Sequence, residues 1–156
     1  MAGTNTPTFT IGTSKSLTTF TRRDNDGEEK QWIGEVRWLK LKPEKSTLRL
    51  SGDEGELEFL SFFKRAKWYS TSRSFDFNGT TYTWMDIPLK SLRLVRGGIA
   101  ASGETTALEK EEPLAVIRSV IFKTAVLLIS EEGLQELGPD IIVITGVIVL
   151  FRRRER

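Results

Sequence analysis

Apolar and polar residues alternate in short runs along most of this chain, the period of strands with one buried face. Trp32, Gly34, Val36 and Trp38 alternate with Glu35 and Arg37, which predicts a half-buried strand carrying both tryptophans on one face, ended by Pro43. Upstream, a threonine-rich stretch predicts short strands at Phe9–Ile11 and Leu17–Thr21, followed by a polar loop over Arg22–Lys30. Thr47–Leu50 reads as a strand, and Glu56–Lys64 as another with Leu57, Phe59 and Phe63 on one side. The sharpest local signal is Asn78-Gly79, flanked by Arg73–Phe77 and Thr80–Trp84, because Asn-Gly accommodates the two positive φ angles of a type I′ hairpin turn. That turn fixes a register in which Phe77 faces Thr80, Phe75 faces Tyr82 and Arg73 faces Trp84. Further strands are predicted at Leu89–Val95, Ile99–Ala101, Leu114–Arg118 and Phe122–Ile129, with Gly97-Gly98 and an acidic loop over Gly103–Pro113 between them. About ten short strands with no amphipathic helix before residue 130 point to one all-β barrel or sandwich. No repeat or linker divides the chain, so residues 1–156 are expected to form one domain with flexible ends at 1–7 and 152–156.

The C-terminal segment breaks this pattern. Ile141–Phe151 is apolar apart from Thr145 and Gly146, and it is framed by Gly138-Pro139-Asp140 and by Arg152-Arg153-Arg154. Proline at the first helical position, an acid in the first turn and cations after the last turn match the ends of a helix. Isoleucine and valine favour a strand, so the residues alone leave a helix and a central strand open. A helix without a polar face must be surrounded by protein. Eleven residues of helix reach about 17 Å, against about 30 Å of membrane hydrocarbon, so no transmembrane span is expected.

Composition removes much chemistry. The chain of 156 residues has no cysteine and no histidine, which rules out disulfides, thiol nucleophiles, Cys/His zinc sites and histidine-based triads. Lys and Arg number 23 and Asp and Glu 21. Removing the four arginines and one glutamate of Arg152–Arg156 leaves 19 basic and 20 acidic residues, so the basic balance belongs to the tail and gives no broad nucleic-acid-binding face. The start of the chain lacks a cationic region followed by an apolar stretch, so no secretory signal is expected and an intracellular, cytoplasmic location is.

The stretch from Phe62-Phe63-Lys64 through Ser72-Arg73-Ser74-Phe75, Asn78-Gly79-Thr80-Thr81-Tyr82-Thr83-Trp84, Ile99-Ala100 and Asp140-Ile141-Ile142-Val143-Ile144-Thr145, with its arginine-rich end, resembles a fungal domain family of unknown function. The strand from Trp32 to Trp38 fits the same pattern. That family is similar in layout to the tubby C-terminal domain, the LURP-one-related proteins and the phospholipid scramblases. The resemblance implies a single closed β-barrel of about 10–12 short strands around a buried hydrophobic C-terminal helix at residues 139–151. It assigns no activity. Tubby domains bind phosphoinositides, but their basic residues do not map onto individual positions of this chain.

Two basic features suggest a ligand. Lys64, Arg65, Lys67 and Arg73 lie in a stretch without acids and are interleaved with aromatic residues, Trp68 among them, a combination suited to anionic headgroups. Arg152, Arg153 and Arg154 would add to such attraction; their structural role would be to end the helix. A further basic cluster, Arg37, Lys40, Lys42, Lys45 and Arg49, is ordinary for an exposed strand and turn. The acidic clusters Asp24/Asp26/Glu28/Glu29 and Glu109/Glu111/Glu112 match no cation-binding loop, and no nucleophile elbow, phosphate-binding loop or dinucleotide fingerprint occurs. No catalytic residue, metal site or cofactor is therefore assigned. The expectation is a non-enzymatic binding or scaffold domain of unknown ligand. Peripheral binding of anionic lipid through the basic-aromatic segment is the first alternative, and a carboxylate-based hydrolase the second. A protein partner or an anionic membrane fits these readings; nucleic acid does not.

Overall fold

The computed structural model describes residues 8–24, 29–39, 45–51, 55–63, 72–87, 91–97, 112–119 and 125–154. The chain is mainly β and divides into two compact units, Met1–Phe62 and Phe63–Arg156, each built on a five-stranded antiparallel meander.

In the first unit the strands β1 (Thr8–Ser14), β2 (Leu17–Arg23), β3 (Gln31–Arg37), β4 (Thr47–Leu50) and β5 (Leu57–Glu58) pair in sequence order. Thr18, Val36 and Leu48 occupy one row of this sheet, all fully buried. Between β2 and β3 the register slips at Phe20/Thr21: Phe20 faces Gly34, whereas Thr21 faces Trp32. Ile33 is the extra residue of a β-bulge, which rotates the strand before it. The two tryptophans consequently part company. Trp32 lies on the face of Glu35 and Arg49, with the Arg49 guanidinium 5.3 Å from its ring, a cation–π distance. Trp38 donates its indole N–H to Thr18 Oγ1 at 2.8 Å and meets Phe59 edge-on at 5.6 Å. The single strand expected over Glu56–Lys64 is also corrected, because Phe59–Phe62 forms one helical turn, α1, directly after β5. Alternation fails at Ser61, while the buried Phe59 and Phe63 are four apart, a helical interval.

In the second unit β6 (Arg73–Phe77), β7 (Thr80–Ile87), β8 (Ser91–Arg96), β9 (Ala115–Ser119) and β10 (Ala125–Ile129) again pair in order. The hairpin β6–β7 has the expected register, and Asn78 and Gly79 take φ of 49° and 78°. Phe75 stacks on Tyr82 at 5.8 Å and meets Phe63 edge-on at 6.2 Å. Phe122 and the expected strand Ile99–Ala101 lie outside the described residues.

A short helix, α2 (Glu131–Glu136), follows β10, and α3 (Pro139–Arg154) ends the described chain. Ser130 caps α2: its Oγ accepts the Gly133 N–H at 3.0 Å and donates to the Leu114 carbonyl at 3.1 Å. Gly138, at φ 82°, closes it by donating to the carbonyls of Gly133 and Leu134. The C-terminal segment is thus a helix and not a central strand. Ile141–Gly146 and Ile148–Leu150 are buried, and Gly146 lies against Ile117 and Trp84 of the sheet.

The expected closed barrel is not seen in the described ladders. Among the described residues the ladders end at β1 and β5 in one sheet and at β6 and β10 in the other, and no pairing joins the two. β5 contributes only two residues before the chain turns into α1, which leaves no strand length there to continue a ladder. No described helix is long and apolar enough to cross a membrane.

Candidate functional site

Most of the basic side chains singled out in the sequence lie outside the described set. Lys64, Arg65, Lys67 and Trp68 lie outside the described residues. Arg73 opens β6 opposite Trp84, is 7% exposed, and donates from a guanidinium nitrogen to the Ser72 carbonyl at 3.1 Å. Its guanidinium is therefore held within the fold. Arg152, Arg153 and Arg154 continue the backbone of α3, and their side chains are outside the described set. In the other basic cluster, Arg37 reaches Glu56 at 4.0 Å and Arg49 reaches Glu35 at 3.7 Å, while Lys40 and Lys42 lie outside the description. Of the acidic clusters, Asp24 pairs with Arg22 at 2.9 Å, Glu29 and Glu112 are exposed, and Asp26, Glu28, Glu109 and Glu111 are outside the described residues. No cluster of three metal-ligating side chains occurs among the described residues.

A different surface emerges from the register of the second sheet. Val126 on β10 faces Arg118 on β9, which faces Ser91 on β8. In the next row Leu128 faces Val116, which faces Arg93. Side chains in these two rows point to the same side of the sheet, since positions two apart share a face. Val126 is 47% and Leu128 51% exposed; Arg118 is exposed and Arg93 half-buried. The two arginines are diagonal neighbours on adjacent strands, about 7–8 Å apart at the backbone. On this face β8, β9 and β10 place no aspartate or glutamate, and neither arginine has an ion-pair partner among the described residues.

The opposite face of the same strands is a core. Leu92, Leu94, Ala115 and Ile117 are buried there with Trp84, whose indole N–H donates to Thr145 Oγ1 of α3 at 2.8 Å. α2 is tied to the sheet by Glu136, which accepts from the Tyr82 hydroxyl at 3.1 Å and forms a short ion pair with Arg96. A rigid, packed layer therefore underlies the Arg93/Arg118 face, and β10 supplies the outer edge. Each strand is legible as a strand in the sequence, but the rows depend on pairings across β8, β9 and β10 that no local pattern encodes.

The model of a family of unknown function (DUF6593) matches residues 2–155. The chain belongs to that family. No curated protein matches the chain, and no solved structure does. Membership in DUF6593 brings no activity with it, so any function has to be argued from the surface just described.

Proposed function

We propose that this DUF6593 domain is a non-enzymatic binding module and that the β9–β10 end of its second sheet is the recognition surface. The observation that supports this is the pairing of two arginines that have no carboxylate partner among the described residues with two half-exposed aliphatic side chains on one face. Exposed apolar side chains beside unneutralised charge are a costly surface to maintain and mark interaction sites. The charge calls for an anionic partner, and the aliphatic residues favour one that also brings apolar surface. Anionic lipid, expected from the sequence at the basic-aromatic segment of Lys64, Arg65, Lys67, Trp68 and Arg73, would also be attracted to the two arginines of this face.

The test is binding of anionic probes at low salt to the whole chain and to the double variant Arg93→Glu/Arg118→Glu. The probes are an acidic peptide and vesicles containing a phosphoinositide. Binding of at least one probe by the parent chain, lost in the double variant, supports the module reading. Absence of binding to both probes at low salt, or equal binding by the variant, overturns it.

A further inference from the structure

We infer that β10 is a receptor strand: an extended acidic peptide of a partner protein adds to the outer edge of the second sheet, continuing its hydrogen-bonded ladder past Ala125–Ile129. This rests on the reading of the β9–β10 face as the recognition surface and specifies what occupies it.

Three observations lead there. First, β10 is the terminal strand of its sheet, and among the described residues nothing pairs with its outer side. Such an edge presents a row of backbone donors and acceptors to any chain that can adopt strand geometry. Second, two of the usual protections are missing, since the run Ala125-Val126-Leu127-Leu128-Ile129 contains no charge and no proline. Every position in it is at least partly exposed, so both faces of an added strand would find side chains to pack on. Third, the charged side chains that β8, β9 and β10 place on the Val126/Leu128 face are both arginines. Arg118 stands one strand in from β10, so an added strand would run about 10 Å from it, within reach of an arginine and a glutamate extended toward each other.

The same geometry separates an acidic peptide from other occupants. A second copy paired through the same edge would bring another Arg118 to the face that already lacks acids, increasing the repulsion instead of relieving it. A lipid surface would attract the arginines, but burying Val126 and Leu128 in hydrocarbon would carry the open backbone edge toward a medium that cannot satisfy it. An acidic strand neutralises Arg118 and satisfies the edge together. Its acidic residues would fall on the side of Arg118, with aliphatic neighbours against Val126 and Leu128.

The experiment uses the whole chain and a short acetylated peptide that alternates threonine on one face with glutamate, valine and glutamate on the other. A control peptide of the same sequence is N-methylated at alternate residues, which removes the backbone donors on the pairing side. Affinity is followed by calorimetry, and backbone amide exchange is followed across the chain. The expected result is binding that slows exchange at residues 125–129, weakens about tenfold or more with the methylated control, and weakens in Arg118→Glu. Equal binding of both peptides means charge attraction without strand addition, which overturns the receptor-strand inference and leaves the module reading standing. Binding of phosphoinositide vesicles but of neither peptide assigns the face to lipid and has the same effect. Dimerisation of the chain through protected β10 amides, with no peptide bound, assigns the edge to a second copy and overturns the inference as well.

Discussion

Trp84 on β7 and Thr145 on α3 are joined by a 2.8 Å hydrogen bond in which both side chains are fully buried. The threonine hydroxyl accepts from the indole N–H and donates to the Ile141 carbonyl at 2.7 Å, so one oxygen serves the sheet and the helix together. Thr145→Val keeps the shape but leaves the indole donor without a partner, and should cost about 1–3 kcal/mol of unfolding free energy. Trp84→Phe leaves the hydroxyl its bond to Ile141 but creates a cavity, with a cost of similar size. The double variant should be less destabilised than the sum of the two, because no orphaned donor remains. Urea unfolding of all four proteins measures the coupling; strict additivity would show that the bond contributes nothing beyond packing.

Gly146 allows that helix to approach the sheet. A Cβ placed there would lie 2.9 Å from Ile117 Cδ1 and 3.0 Å from Trp84 Cζ2. The indole is locked by its bond to Thr145, whereas the end of the isoleucine can move. Gly146→Ala gains up to about 1 kcal/mol in helix propensity, yet overpacking of a closed interface costs about 1–3 kcal/mol, so net destabilisation is expected. Adding Ile117→Val removes the methyl group in the way and should recover part of the loss in denaturant titrations. If Gly146→Ala is instead more stable than the parent, the helix and sheet are packed less closely than the structure shows.

What could be read from the sequence was what is encoded locally. The β6–β7 hairpin followed from two adjacent residues, because Asn78-Gly79 selects one turn and the turn selects the register. The C-terminal helix was not settled by its own residues: Pro139, Asp140 and the arginines match helix ends, isoleucine and valine favour strands, and the resemblance broke the tie for a helix, which burial of Ile141–Gly146 and Ile148–Leu150 now accounts for. The bulge at Ile33 left no trace, since Trp32-Ile33-Gly34 satisfies either register until β2 is paired against it. The Arg93/Arg118 face was missed for the same kind of reason. Arginines 25 positions apart become neighbours only when β8 and β9 are aligned.

The two-residue turns make an internal comparison. Ser14 faces Leu17 across Lys15-Ser16, and Lys15 takes φ of 55°, a conformation that is costly for a side-chain-bearing residue. Hairpins with a positive φ at the first central position prefer glycine there. Lys15→Gly should therefore stabilise the chain by up to about 1 kcal/mol, although glycine also loses more freedom on folding. Gly79→Val should do the opposite, by about 1–2 kcal/mol, because φ of 78° is denied to a β-branched residue. Thermal melts of the two variants at one protein concentration would show shifts of opposite sign.

Ile144 gives the strictest test of how α3 is held. It is 1% exposed, and Val143, Thr145 and Ile148 around it are also buried, so a charge at this position has no route to water along the helix surface. An unpaired carboxylate in such surroundings costs several kcal/mol, against a total stability of about 5–15 kcal/mol for a domain. Ile144→Asp should consequently abolish cooperative unfolding and the near-ultraviolet signal of the tryptophans. Ile144→Met serves as the control, because it nearly conserves volume and should cost under about 1.5 kcal/mol. Parent-like unfolding of the aspartate variant would mean that the helix face bearing Ile144 opens to solvent, since no other arrangement tolerates the charge.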